Sequence, residues 1–163
     1  MNETVMHTID PIYNKDSKIL ILGTMPSPKS REAGFYYAHP RNRFWETIAA
    51  VLNVETPSTV SEKKSLLYES GIALWDVLAS CRISKADDGS IKDAFVNEFT
   101  TLFETADIKA VFTTGKKATA LFGVHCEEKC MFTPIYLPST SPANCRMSRL
   151  ELISAYKVIL GFI

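Results

Sequence analysis

The chain has 163 residues, nearly half of them apolar, and its 18 basic residues are balanced by 18 acidic ones. That composition predicts one soluble globular domain, 1–163, large enough to bury a sizeable core. Zero net charge argues against gripping nucleic acid through bulk charge, while leaving room for a local basic patch.

Met1–Asn14 carries neither a basic n-region nor an apolar h-region, and no stretch approaches ~18 uninterrupted apolar residues. The expectation is an intracellular, cytoplasmic protein that does not span a membrane. Its four cysteines, Cys81, Cys126, Cys130 and Cys145, are then expected as reduced thiols.

The first element is the apolar run Ile19–Leu22, which predicts a core strand that the chain leaves at Gly23. A long segment punctuated by glycine and proline follows, as far as Trp45. It packs Phe35, Tyr36, Tyr37, His39, Asn42, Arg31, Arg41 and Arg43 into a stretch that folding alone does not require. Asn42–Leu52 has helical spacing, with Phe44, Trp45, Ile48, Ala49 and Leu52 on one face. Ser61–Glu69 predicts a second helix, capped by Ser61 and with Glu62 in its first turn. Ile72–Leu74 reads as a strand, with Trp75-Asp76 at its end, where a pocket residue or a cap would sit.

Arg82–Asp93 is a polar loop whose Asp87, Asp88 and Asp93 suit a solvated face. Val96–Phe103 is amphipathic, Ala110–Thr113 is a third strand and Lys116–Phe122 a further helix. Thr113–Lys117 lacks a full phosphate-loop pattern, so its lysines are expected to be solvated. His125, Cys126, Cys130 and Cys145 match no zinc or ferredoxin spacing, and no metal or other cofactor is expected. Met131–Leu137 is the fourth strand, and Arg149–Leu160 closes the chain as a helix. Strands alternating with helices predict an α/β fold, a mostly parallel four-stranded sheet with helices on both faces.

Two segments carry candidate chemistry. In an open α/β sheet, ligands sit at the carboxyl ends of the strands, where Gly23-Thr24-Met25-Pro26-Ser27 emerges. Aromatic residues beside hydrogen-bonding groups suit a flat heterocycle, stacked on a ring and read along its edge. Lys29, Arg31, Arg41 and Arg43 against Glu32 make the segment locally basic, as phosphate contacts require. Phe44 and Trp45 themselves read rather as the first core turn of a helix, whereas Tyr37 and Asn42 read as functional. The second segment is Leu137–Asn144, stiffened by Pro138 and Pro142, whose hydroxyls and amides could hold an anion. It reads as well as a plain strand-to-helix connection, with Ser141 or Asn144 as the helix cap.

Together, GTMPS, YAHPRNRFW and LPSTSPAN resemble the uracil-DNA glycosylase superfamily. The central stretch is similar to the mismatch-specific uracil/thymine-DNA glycosylases, and the flanking two are closest to the hypoxanthine (deoxyinosine)-DNA glycosylase branch. The resemblance implies a three-layer sandwich and a monomeric, cofactor-free enzyme acting on DNA that contains a deaminated base. It gives Tyr37 the place of the aromatic that stacks on the flipped base, and Gly23–Ser27 that of the pocket-lining loop. Ser139, Thr140, Ser141, Pro142 and Asn144, with Arg146, become the loop that grips DNA, alongside Arg41 and Arg43.

Many relatives carry Asp or Asn in the first motif, where this chain has Met25. Asn42 is the candidate for the missing polar group, orienting a water or bonding the departing base. His39 either stabilises the leaving group or is structural. The expected reaction is hydrolysis of the N-glycosidic bond of hypoxanthine. Alternatives are a uracil or G:T/U mismatch glycosylase and a catalytically silent DNA-binding module. A small α/β hydrolase is a more distant reading, because no Gly-x-Ser-x-Gly elbow is present.

Overall fold

The computed structural model of the protein describes residues 2–163; Met1, the first residue of the amino-terminal segment read above, lies outside them. Four strands, β2 (Ile19–Gly23), β3 (Ile72–Asp76), β6 (Ala110–Thr114) and β7 (Ile135–Leu137), form a parallel sheet in the order β3-β2-β6-β7. Every residue of β2 and of β6 is buried, as a parallel sheet covered on both faces requires.

The two-residue period of the strands divides these side chains between two cores. Ile19, Ile21, Ile72, Leu74 and Phe112 face helices α2 (Phe44–Leu52), α3 (Val60–Ser70) and α7 (Arg149–Tyr156), through Phe44, Ile48, Leu67 and Tyr156. Leu20, Leu22, Ala73 and Val111 face the opposite way, onto Phe122 of α5 (Lys116–His125) and Leu102 of α4 (Thr100–Thr105). Full burial of each such side chain is worth about 1.5–3 kcal/mol, so these two layers dominate the stability of the fold.

That second face also carries a feature absent from the sequence reading. β1 (Glu3–Met6), β4 (Leu78–Ser84) and β5 (Asp87–Val96) make a separate antiparallel sheet in the order β1-β4-β5. The segment expected as the solvated loop Arg82–Asp93 is the β4–β5 hairpin, and Val5, Leu78 and Ile83 pack into the second core. Its pattern was hard to read because register shifts interrupt the ladder three times, which breaks strict alternation.

Other boundaries move for local reasons. Val96 ends β5 rather than opening a helix, because Asn97 Nδ2 donates to the carbonyls of Asp76 and Leu78. Two helices the sequence did not reveal are α1 (Pro28–Ala33) and α6 (Glu127–Cys130). Met131 takes φ +60° to close α6, so the last strand starts only at Ile135. The closing helix runs to Tyr156 and continues as a 3₁₀ turn, Lys157–Gly161; its cap is Ser148, not Ser141 or Asn144.

The chain runs from β2 out to β3 and later returns to the other side of β2 as β6. This reversal of direction creates a crevice at the carboxyl ends of β2 and β6.

α3 is capped by Thr59, two residues earlier than expected. Thr59 Oγ1 accepts from the N–H of Glu62, while Glu62 Oε2 accepts from the N–H of Thr59. Thr59→Ala should therefore lower stability by about 1 kcal/mol in urea unfolding, and Ser61→Ala should change it by less than ~0.5 kcal/mol. Equal losses would place the cap elsewhere.

Candidate active site

A cavity of about 300 Å³ opens at the carboxyl ends of β2, β3 and β6. Its floor is built around Gly23, where a Cβ would lie 2.5 Å from Asp76 Oδ1 and 3.2 Å from the Tyr37 hydroxyl. Asp76 stands opposite Gly23 in the parallel ladder. Its Oδ2 accepts from His7 Nε2 at 2.8 Å, and only 2% of the His7 side chain and 5% of the Asp76 side chain are exposed. His7 Nδ1 accepts from the N–H of Ile9. A carboxylate accepts only, so these two contacts assign the neutral Nε2–H tautomer to His7.

Tyr37 forms one wall of the cavity. It sits at φ +53°, and its ring stacks on Phe44 with centroids 3.9 Å apart. Burial, reinforced by the nearby Asp76, raises its phenol pKa well above the ordinary value, so the hydroxyl stays protonated. Phe44 and Trp45 are buried core residues. Trp45 Nε1 donates to the Tyr36 carbonyl and the Tyr36 hydroxyl donates to that of Asp10. These bonds hold the aromatic arm in place.

Asn42 links the two sequence motifs. Its Oδ1 accepts from the N–H of Phe44 at 2.9 Å and from Thr140 Oγ1 at 2.8 Å. Both lone pairs are thereby engaged, and the Nδ2 donors have no protein acceptor among the described residues. Asn42 lines the cavity together with His39 and Arg41. His39 Nδ1 accepts from the N–H of Arg41, leaving Nε2 as its free ring nitrogen.

Several expected DNA contacts are occupied inside the protein. Arg43 donates to the carbonyls of Met147 and Asn144, tethering the second loop to the start of α2. Thr140 is 1% exposed and bonded to Asn42, so it cannot reach a phosphate. Asn144 Nδ2 donates to the Ser139 carbonyl. The N–H groups of Ser141 and Ala143 are taken by the hydroxyls of Ser139 and Ser141. The anion cradle expected of this loop is thus largely spent on the loop itself. Ser139, Ser141 and Pro142 line the cavity, and Arg146 is exposed outside its lining.

In the first motif, Gly23, Thr24 and Pro26 are buried while Met25 and Ser27 are half-buried, and all five line the cavity. Met25 packs against the second core, and Ser27 caps α1 by accepting from the N–H of Ser30.

The hairpin expected to lie on a distant solvated face instead forms the far rim, through Ile83, Lys85, Ala86 and Asp88. Asp88 accepts from Thr24 Oγ1 at 3.4 Å, and desolvation against the cavity raises its carboxyl pKa. The Lys117 charge opposes that shift. Cys126 is buried in the second core and its thiol is pushed up to about 11, a protonated packing group rather than a thiolate ligand. Among the described residues no group of three or more His, Cys, Asp or Glu could hold a metal ion.

Sequence reasoning found Asp76 as a strand-end residue but missed His7, since only the fold joins positions 69 residues apart. Hairpin residues were missed because their acidity resembles that of any solvated loop.

If Arg43 is a tether rather than a phosphate contact, Arg43→Met should cost about 1–3 kcal/mol, by leaving two carbonyls without their donor. Amide exchange over 139–147 should quicken, and the salt dependence of DNA binding should be unchanged. A slope shallower by about one would identify a phosphate contact instead.

Residues 11–158 match the family model of the uracil DNA glycosylase superfamily. A Methanosarcina acetivorans protein named hypoxanthine DNA glycosylase is 31% identical over 144 residues, covering 85% of this chain and 87% of that protein. A second protein of that name, from Methanosarcina barkeri, is 32% identical over 110 residues, covering 66% and 70% respectively. The solution NMR structure of an M. acetivorans protein designated a candidate uracil DNA glycosylase superposes with a TM-score of 0.80. That pair is 24% identical over 97% of this chain and 99% of the other, and shares the fold. The match to the family model spans the four-stranded parallel sheet, the cavity lining and both motifs: the chain belongs to the uracil DNA glycosylase superfamily.

Proposed function

We propose that this chain is a monofunctional DNA glycosylase that removes a deaminated base, hypoxanthine before uracil, and leaves an abasic site. The relatives that carry the name hypoxanthine DNA glycosylase support the choice of base. The observation that carries the chemistry is the Asn42 amide, pinned by two donors with its own N–H groups free at the cavity.

N-glycosidic cleavage passes through a cation-like sugar while negative charge builds on the departing base. Preorganised donors aimed at that charge lower the barrier without reorganising. With its oxygen saturated, Asn42 cannot take a proton from water; its role is to donate to the leaving base. Positioning of base and water supplies much of the remainder. A cavity of about 300 Å³ lies at the small end of ligand sites and suits one flat base turned out of the duplex. Tyr37 offers it an aromatic wall, and His39 Nε2 is a second donor at the mouth.

Arg41 and Lys85, both exposed at the cavity, are the proposed phosphate contacts. This reading makes the protein a monomer of one domain, 1–163, working where DNA is, in the cytoplasm or on the nucleoid. Among the described residues no helix is long and apolar enough to cross a membrane.

The test uses labelled duplexes bearing hypoxanthine, uracil, a thymine mismatch or xanthine, with alkali to reveal abasic sites. Hypoxanthine should be released fastest. Release mainly of uracil would move the chain to the mismatch glycosylases, and binding without release would make it a silent module. Asn42→Asp keeps both accepted hydrogen bonds and loses the donors. It should slow excision by roughly 10²–10³-fold at unchanged stability and nearly unchanged DNA affinity. Turnover near the original rate would overturn this role for Asn42.

A further inference from the structure

Hydrolysis needs a group that takes a proton from the attacking water, and few groups lining the cavity can do so. Both lone pairs of Asn42 Oδ1 are engaged. His39 accepts at Nδ1, so its neutral ring carries the proton at Nε2 and can only donate there. The Tyr37 phenol stays protonated. Asp76 is tied to His7 at the floor, against Gly23. The one other carboxylate among the cavity-lining residues is Asp88, on the hairpin rim.

Asp88 is the second residue of β5, and the tip before it turns through Lys85 at φ +55°. Its Oδ2 accepts from Thr24 Oγ1 at 3.4 Å, while Oδ1 has no donor among the described residues. Thr24 is a firm anchor: it is 6% exposed, and its carbonyl accepts from the N–H of Leu78 at the start of β4. Desolvation raises the Asp88 carboxyl pKa; the Thr24 bond and the Lys117 charge oppose the rise, and the charges of Asp76 and Asp87 add to it. A carboxylate with a raised pKa is a stronger base.

We infer that Asp88 is the general base of the reaction, holding the attacking water at Oδ1 beside the sugar carbon C1′. A base turned into the cavity keeps its sugar at the mouth, because C1′ joins it to the DNA backbone. The reacting carbon therefore lies at the level of the rim rather than of the floor. The water oxygen bonds to C1′, the bond from C1′ to the base nitrogen breaks, and its electron pair leaves with the base. The water proton passes to Asp88 and on to solvent, and the departing base anion takes a proton from solvent. While charged, the carboxylate also stabilises the cation-like sugar. Asn42 and Asp88 thus divide the work, one donating to the leaving base and the other accepting from water.

This inference rests on the glycosylase reading. Single-turnover excision of hypoxanthine is measured beside the affinity for a duplex carrying uncleavable 2′-fluoro-2′-deoxyinosine. Asp88→Asn keeps an oxygen for Thr24 and loses the base. Its excision rate should fall by roughly 10²–10⁴-fold. Its affinity should be equal or tighter, since a negative charge leaves the rim that meets DNA. Asp87→Asn makes the same charge change one residue away, outside the cavity lining, and should excise near the original rate. The original protein should also lose rate as the pH falls through the raised Asp88 pKa, and Asp88→Asn should lack that acid limb. Protonation of His39, the histidine at the mouth, adds a donor and pushes the rate the other way.

A folded Asp88→Asn that excises near the original rate, or that keeps the acid limb, would overturn the role of Asp88 and leave the glycosylase reading intact. Affinity lost in step with rate would do the same, by making Asp88 a binding residue. If the original protein excised no base from any duplex, the glycosylase reading would fall, and the role of Asp88 with it.

Discussion

The site depends on one close approach. At the end of β2 the Asp76 carboxylate, the Tyr37 hydroxyl and the Thr114 hydroxyl converge on Gly23, and a single methyl there would sit 2.5 Å from Asp76 Oδ1. A buried carboxylate costs several kcal/mol unless it is paired. The pairing comes from His7, delivered by the segment that follows β1. The antiparallel sheet is therefore more than a cover for the second core, because it fixes the histidine that makes the floor tolerable. Tyr37, held neutral by burial and by that same carboxylate, adds no second charge.

The walls are held by a similar economy of contacts. Asn42 and Arg43 join the first motif to the second, across about a hundred residues of chain, through Thr140 and the carbonyls of Asn144 and Met147. These bonds consume groups that would otherwise be free to meet DNA. In return the cavity is shaped before any ligand arrives, which is where electrostatic catalysis gains most. Free charge is left to the rim, at Arg41 and Lys85, and a chain of zero net charge can still present a local basic edge.

The parallel sheet was legible because its first three strands are short apolar runs followed by Gly, Asp or polar residues, as Ile19–Leu22 is by Gly23. The cavity's first loop was legible for the same reason: Tyr37, His39, Arg41 and Asn42 form a cluster that packing does not require. The antiparallel sheet was not legible, since three register shifts blur the alternation of β4 and β5. His7 was invisible because its meaning lies in a partner 69 residues away. Arg43 and Thr140 looked like DNA contacts because composition cannot distinguish a solvated donor from one already spent on a carbonyl or an amide. The Thr59 cap was not legible, and Ser61 was read in its place, because the reciprocal bond from Glu62 is a property of geometry, not of residue type.

The most direct measurement is a crystal structure of the protein with a duplex carrying 2′-fluoro-2′-deoxyinosine. The account predicts that the hypoxanthine lies outside the base stack and inside the cavity, against Tyr37, with Asn42 Nδ2 within about 3 Å of a base acceptor. A base still stacked in the duplex, or turned out onto another surface, would contradict it.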